Sequence, residues 1–382
     1  MKPTLTFLIA LLLSPLTALH AAEEPATIKF AGGSGSDFQV LLDRVPAGAV
    51  IVCENANPLE ITKTLLVNKP VTLRGFKACL PAKLDTTAIM IVDAAGFTLT
   101  DSEMRGNYDT VDQNHRAPLI HIKRGCFRIE RCKFLDGSKD GIMVTPEDGT
   151  GDVVGGVIRD IEGERMGRDL VSLGGGNGGL RIRDVTVENV RLKTGYLRGA
   201  VEISDGTDNI TVRHVYVEDA VYGIDVQDHG AVKKKTGKAC APNTKAVLED
   251  VTAVRCKHVI RTANHPLGHA DLTARDLTGR DCKEPVRISN TARVLIENLS
   301  IVNEKPLDGA PVELRNDQQV VIRNATVKGT AEGVAPVMVK GCTDVRMERV
   351  TCNGAAVEKP VVSTQKKRGN KNQDPQSKQT GK

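Results

Sequence analysis

The chain has no Trp, and aromatic residues make up only 3% of its 382 positions. A core made from it must rest on Val, Ile and Leu, and a binding face has more charge than ring surface to offer. None of the nine Cys lies in a CxxC pair, which argues against a zinc ribbon, and the odd number leaves at least one thiol without a partner in a monomer. No apolar run reaches bilayer length. The longest, Leu5–Leu13, is too short, so no membrane span is expected. A basic body is also missing. The formal charge is +5, but residues 365–382 hold six basic residues and one acid, Lys2 adds one more, and residues 23–364 carry a net −1. The basic pI therefore gives little support to a nucleic-acid partner.

The two ends stand apart from the body. Lys2, the apolar run and the small residues around Ala18–Ala22 read as a signal peptide over residues 1–22, implying a secreted or periplasmic protein. Residues 365–382 are almost free of apolar side chains and are expected to be a disordered, solubilising tail. Between them, 34–45 reads as a short helix capped by Ser36 or Asp37, with Phe38, Leu41, Leu42 and Val45 on one apolar side.

From about residue 65 the chain repeats itself. An apolar-x-polar-x-x-apolar motif recurs with its polar position at Asp101, Arg131, Asp160, Asp184, His214, Asp250, Asp276, Asn298, Asn324 and Arg349. Upstream of these positions lie paired apolar residues: Ile120/Ile122, Ile142/Val144, Val171/Leu173, Val201/Ile203, Ile224/Val226, Ile260/Thr262, Val286/Ile288, Val312/Leu314 and Val337/Val339. Short alternating runs at a period in the mid-twenties describe a parallel β-solenoid, in which stacked turns bury columns that no single turn could bury alone. The helix would cover the open end of the sheets. A β-propeller needs longer repeats with aromatic signatures. Cys256 and Cys282 fall at one repeat position, where a disulfide or a column of buried thiols fits equally.

The stretch DFQVLLDRVPAGAVIVCENANPLEITKTLLVNKPVTLRG resembles the opening segment of the pectate-lyase-like superfamily. The resemblance spans about residues 30–364 and implies an all-β, single-stranded right-handed parallel β-helix with an N-terminal capping helix. It also implies that loops at 105–117, 192–199 and 230–246 wall a groove over the first-strand sheet. The superfamily hosts lyases, hydrolases, epimerases and non-catalytic adhesins, so activity must be argued from the site. The stretch YGIDVQDHG, Tyr222–Gly230, is similar to the YG-x-DPHD stretch of alginate C5-epimerases. Asp225 and Asp228 match its two acids, Val226 and Gln227 replace its Pro and His, and His229 follows one position late. Asp140 and Asp169 resemble two of the three acids of polygalacturonases, with Arg168 where a third is expected.

If the paired apolar residues face inward, the residue between each pair faces outward. That column reads His121, Met143, Ser172, Glu202, Asp225, Arg261, Arg287, Glu313, Met338, and the turn after it places His229 beside His265. Uronate chemistry needs the substrate carboxylate neutralised, a base for the proton beside it and an acid for the leaving oxygen. Arg261, Arg287 or a calcium ion held by Glu202, Asp225 and Asp228 can do the first, and His229 or His265 the second. Lys123, His121, Lys234 and Arg315 flank the cluster as candidate substrate-binding residues. The expected protein is a monomer acting on an acidic polysaccharide, as a lyase or epimerase. The alternatives are a non-catalytic carbohydrate-binding solenoid, and a glycoside hydrolase using Asp140 and Asp169. Opposite charges across strands also occur on solvated faces with no site at all.

Overall fold

A computed structural model describes residues 25–84, 88–110, 117–147, 149–175, 179–229, 241–263 and 268–363. Its strands stack in parallel as successive turns of a β-helix. One sheet consists of 12 short strands, from Leu65–Val67 to Val361–Val362, and the other contains the longer strands. The register aligns the expected apolar pairs turn upon turn: Ile142 on Val171, Val171 on Val201, Val201 on Ile224, Ile224 on Ile260, Ile260 on Val286. They belong to one continuous core of Val, Ile, Leu and Phe. Each turn contributes only a few apolar side chains, so burial pays the ordering cost only when neighbours stack.

The long strands are bent, and the bends have a local cause. Asp101, Arg131, Asp160, His214, Asp250, Asp276, Asn298, Asn324 and Arg349 all adopt left-handed φ between 50° and 57°. Such a conformation costs an ordinary L-residue about 1–2 kcal/mol, and Asp and Asn tolerate it best. One motif assignment needs correcting. The register sets Asn189, not Asp184, between Asp160 and His214, because Glu188 pairs with Arg159 and with Arg213. Asp184 belongs to a second left-handed column with Asn209, Lys245 and Asp271. The two corners lie five residues apart on one strand and share one motif, so spacing alone could not separate them.

The helix spans Gly35–Arg44. Its cap is Ser34, which accepts from Asp37 N–H, while the Asp37 carboxylate accepts from Ser34 N–H. The expected cap at Ser36 or Asp37 was thus late by two or three positions. Phe38 and Leu42 are buried, with Phe38 packed on Phe30 and Phe76. Gln39 protects the sheet edge, its carboxamide accepting from Leu66 N–H at 2.8 Å and donating to Leu66 C=O at 3.1 Å. Cys256 and Cys282 are buried free thiols, raised by burial to about 11 and about 12. Among the described residues, no helix is long and apolar enough to cross a membrane.

On the outer face of the long strands, the register aligns Glu130, Arg159, Glu188, Arg213, Glu249, Arg275, Glu297, Arg323 and Glu348. The sign alternates at every step, and ion pairs join many neighbours, including Arg159–Glu130 at 2.8 Å and Arg323–Glu297 at 2.6 Å.

Candidate functional site

The short-strand sheet carries a different outer column. Glu202 pairs in register with Asp225, Asp225 with Arg261, and Arg261 with Arg287. Like charges therefore sit side by side twice. The acids face away from the core, yet Glu202 is 1% exposed and Asp225 0%. Arg261 covers Asp225, and Glu202 is reached by cations from a second column that the repeat pattern did not reveal. Lys139, Arg168 and Arg198 each stand three positions before an inward strand residue, Ile142, Val171 and Val201, which are themselves aligned. The three cations thus occupy successive turns, about 4.8 Å apart along the axis.

Arg198 is the hub. Its guanidinium donates to Glu202, lies 3.5 Å from Asp169 Oδ2, and approaches His229 Nε2 at 3.2 Å. Glu202 also accepts from Ser172 Oγ at 2.8 Å and from Gln227 Nε2. Gln227 in turn accepts from Arg261, which grips Asp225 with two donors, the Nε contact being 2.8 Å. Arg168 lies 3.5 Å from Asp140, 3.9 Å from Asp169 and 3.6 Å from Glu202, with no side-chain hydrogen bond to any of them among the described residues. Lys139 contacts only the Met143 sulfur, at 3.6 Å, and has no carboxylate partner among the described residues. Among the described residues, Arg168 and Lys139 make no side-chain hydrogen bond to a carboxylate.

Beneath them lie Asp140 and Asp169, both 0% exposed. Burial raises the Asp140 carboxyl above the usual range, with Arg168 opposing. Burial raises Asp169 further, and Glu202 and Asp140 add to it. Tyr222 Oη donates to Asp169 at 2.7 Å. Asp225 is also raised by burial, against the pull of Arg261. A carboxyl pair serving glycoside hydrolysis must flank a bond in the groove, and these two acids sit one above the other, out of contact with solvent.

His229 is half exposed. Its Nδ1 lies 3.0 Å from Asp205 Oδ2, and its backbone N–H donates to Asp205 Oδ1 at 2.9 Å. An arginine can only donate, so in the neutral ring Nε2 accepts from Arg198 and Nδ1–H is the proton shared with Asp205, while the protonated ring would turn Nε2–H to Glu202, 3.4 Å away. The hydrogen bond to Asp205 raises His229 above the ordinary histidine value, with burial opposing. On Asp205 burial acts upward, but the hydrogen bonds from His229 hold its carboxyl below the usual range.

The expected residues separate into three groups. Glu202, Asp225, Arg261 and His229 converge, joined by Gln227. Arg287 does not: it turns to Glu284 at 2.7 Å and Glu313 at 2.5 Å, where Arg315 also binds, so those two arginines form a separate cluster. At the other end, Lys123 binds Glu147 at 2.8 Å, and His121 is tucked against Thr145 C=O and lowered by burial. His265 and Lys234 lie outside the described residues. Among the described residues no three His, Cys, Asp or Glu side chains converge to hold a metal ion. Glu202 is engaged by Arg198 and Asp225 by Arg261, while buried Asp228 bonds toward Asp205. These three acids therefore do not fit a calcium ion. The sequence reading missed Lys139, Arg168 and Arg198 as a group because each follows a loop of different length. Their offset from the inward strand residue was the usable signal.

No protein-family model matches the sequence, and no curated protein matches it. By structure, the chain is similar to the A-module of mannuronan C-5 epimerase AlgE4 from Azotobacter vinelandii, with TM-score 0.60 at 13% identity, covering 88% of this chain and 98% of that one. It is also similar to the N-terminal fragment of gene product 12 from bacteriophage phi29, with TM-score 0.54 at 11% identity, covering 87% of this chain and 70% of that one. The likeness is one of fold, a right-handed parallel β-helix.

Proposed function

We propose that the chain binds a linear uronic-acid polysaccharide along the short-strand face and cleaves it by β-elimination, with His229 as the base. The observation that carries this reading is the contact between Arg198 Nη2 and His229 Nε2, 3.2 Å apart at the mouth of a buried acid cluster. A uronate carboxylate seated on Arg198 brings the C–H beside it within reach of Nε2. Arg198 then stabilises the charge that moves into the carboxylate as the proton leaves, a role that arginine fills here instead of calcium. The C–H electron pair becomes the new ring double bond, the C–O bond to the neighbouring sugar breaks, and the leaving oxygen takes the proton from His229. One group serves both transfers, so the elimination is syn. Epimerisation needs a second proton donor on the opposite ring face, and His229 is the one half-exposed titratable side chain in contact with Arg198. Lys139 and Arg168 are placed to receive carboxylates of neighbouring sugars, since a turn of the β-helix rises by about one sugar length, near 4.8 Å. The likeness to an enzyme named for mannuronan epimerisation agrees with this substrate class and does not choose the reaction.

The test is to incubate the full chain with a panel of polyuronates in deuterated water. Unsaturated ends seen by ultraviolet absorbance support elimination, and deuterium incorporation without cleavage supports epimerisation. Retention on a polymer with neither product makes the chain a binding solenoid. No retention and no product on any uronate polymer rejects the reading.

A further inference from the structure

Tyr196 is the one openly exposed aromatic residue of the described chain, at 42%. The described Phe residues are buried, Tyr222 is buried, and Tyr216 lies under Arg191. One face of Tyr196 is taken by Tyr108, whose ring stacks on it at 4.4 Å with an interplanar angle of 6°. The exposure of Tyr196 therefore belongs to the other face.

The stack is built from distant parts of the chain. Tyr108 N–H donates to Asp136 C=O at 3.0 Å and Tyr196 N–H to Met166 C=O at 3.0 Å. The backbones stand three turns apart, about 14 Å along the axis. Two glycines on the turns between them let those turns pack closely. A Cβ on Gly167 would fall 2.3 Å from Ser138 O, and one on Gly137 would fall 2.9 Å from Met166 Sδ. Gly137 and Gly167 lie just before Lys139 and Arg168 in the chain, and Tyr196 stands two residues before Arg198. Leu197, 49% exposed, adds apolar surface beside the ring.

We infer that Tyr196, backed by Tyr108, is a stacking platform for the apolar face of a pyranose ring, a sugar subsite beside the cation column. A flat ring held by a second ring loses little freedom when a sugar stacks on it, and the C–H-rich face of a pyranose matches the tyrosine π-face. The platform adds affinity that does not depend on charge. This inference rests on the polysaccharide reading but adds a contact that uronate chemistry does not require.

The experiment measures binding of the full chain to the polyuronate that retains it best, by affinity electrophoresis at low and high salt. Tyr196→Ala should weaken retention about tenfold, Tyr196→Phe should keep it, and Tyr108→Ala should fall between. Salt should weaken binding of the wild type while leaving the Tyr196 contribution in place. Melting curves guard against misfolding, and an exposed ring should cost little stability. Wild-type retention by Tyr196→Ala, or a Tyr196→Phe loss as large as that of Tyr196→Ala, overturns the platform. If Arg168→Ala loses retention while Tyr196→Ala does not, the platform fails and the uronate reading stands. If the wild type ignores every polyuronate, the uronate reading fails, and retention on gels of neutral polysaccharides decides the platform: dependence on Tyr196 supports it, and no dependence overturns it.

Discussion

On the outer face of the long strands, nine successive turns alternate in charge from Glu130 to Glu348. On the outer face of the short strands, Glu202 lies beside Asp225 and Arg261 beside Arg287. Both faces use the same parallel register, so the difference is one of sequence alone. Opposite charges across strands stabilise a sheet by about 0.2–1 kcal/mol per pair, and like charges do the reverse. The long face follows that rule throughout. The short face breaks it at the place where the acids are also buried, and it restores neutrality with cations from the turns. A scaffold has no need of such an arrangement, and strained charges grouped in this way mark a candidate site. Stored electrostatic conflict of this kind is a functional pointer that composition cannot give.

The sharpest break of the comparison is chemical. His229→Ala should lower the rate of elimination by about 10²–10⁴-fold, the usual worth of a general base, while Arg213→Ala on the long face leaves the rate unchanged. The rate should climb with pH through a value above the ordinary histidine pKa of about 6.5, because the neutral ring is the base and Asp205 raises it. Asp205→Asn should move that inflection downward. A profile flat across this range would remove His229 from the mechanism. The same pair also tunes stability. Its contribution is complete below the unfolded histidine value and is lost as pH rises through the folded one, so the melting-point gap between wild type and His229→Gln should close at high pH.

Next in size is stability. Glu202→Ala leaves Arg198 and Arg168 without their shared buried carboxylate, at a cost of about 3–5 kcal/mol. Glu188→Ala removes a ladder acid of similar register and should cost no more than about 1 kcal/mol. Equal losses in denaturant titrations would erase the distinction between the faces.

Asp169→Asn tests the protonation of the buried acids. The folded pKa of Asp169 is raised, so any stability linked to its proton is present below the unfolded value and lost as pH rises through the folded one. The amide mimics the neutral acid. Asp169→Asn should therefore match the wild type at low pH and equal or exceed it at high pH. A melting point that falls below the wild type only at high pH contradicts a protonated Asp169.

The smallest effect belongs to the ladder itself. Arg159→Glu places three acids on consecutive turns, Glu130, position 159 and Glu188, and should cost about 1 kcal/mol. The loss should shrink with added salt, because the side chain at position 159 meets solvent. A salt-independent loss would mean that packing, not charge, sets the cost.

Much of this molecule is legible from residue order. Val201 and Ile203, or Ile224 and Val226, declare their shared face by alternation, because strand geometry fixes which side chain points where. Most corner residues declare themselves as Asp or Asn because few other L-residues accept left-handed φ, with Arg131, His214, Lys245 and Arg349 as exceptions. The error at Asp184 arose where two corners of equal chemistry share a strand, and only hydrogen-bonded register separates them. The convergence of Glu202, Asp225, Arg261 and His229 followed from alternation as well. The partners of Glu202 and Asp225 were not legible, because alternation says which face a carboxylate takes and nothing about the cation that reaches it first.

By itself, then, the sequence determined the parallel β-helix, its inward columns and the face that bears the polar cluster, since these follow from period, alternation and local backbone preference. Tertiary structure decided which charges meet. Arg168 and Arg198 reach Glu202 from turns set by loops of unequal length, Arg287 leaves for Glu313, and Tyr108 crosses three turns to find Tyr196. Those contacts depend on the path of loops through space, and no periodicity encodes it.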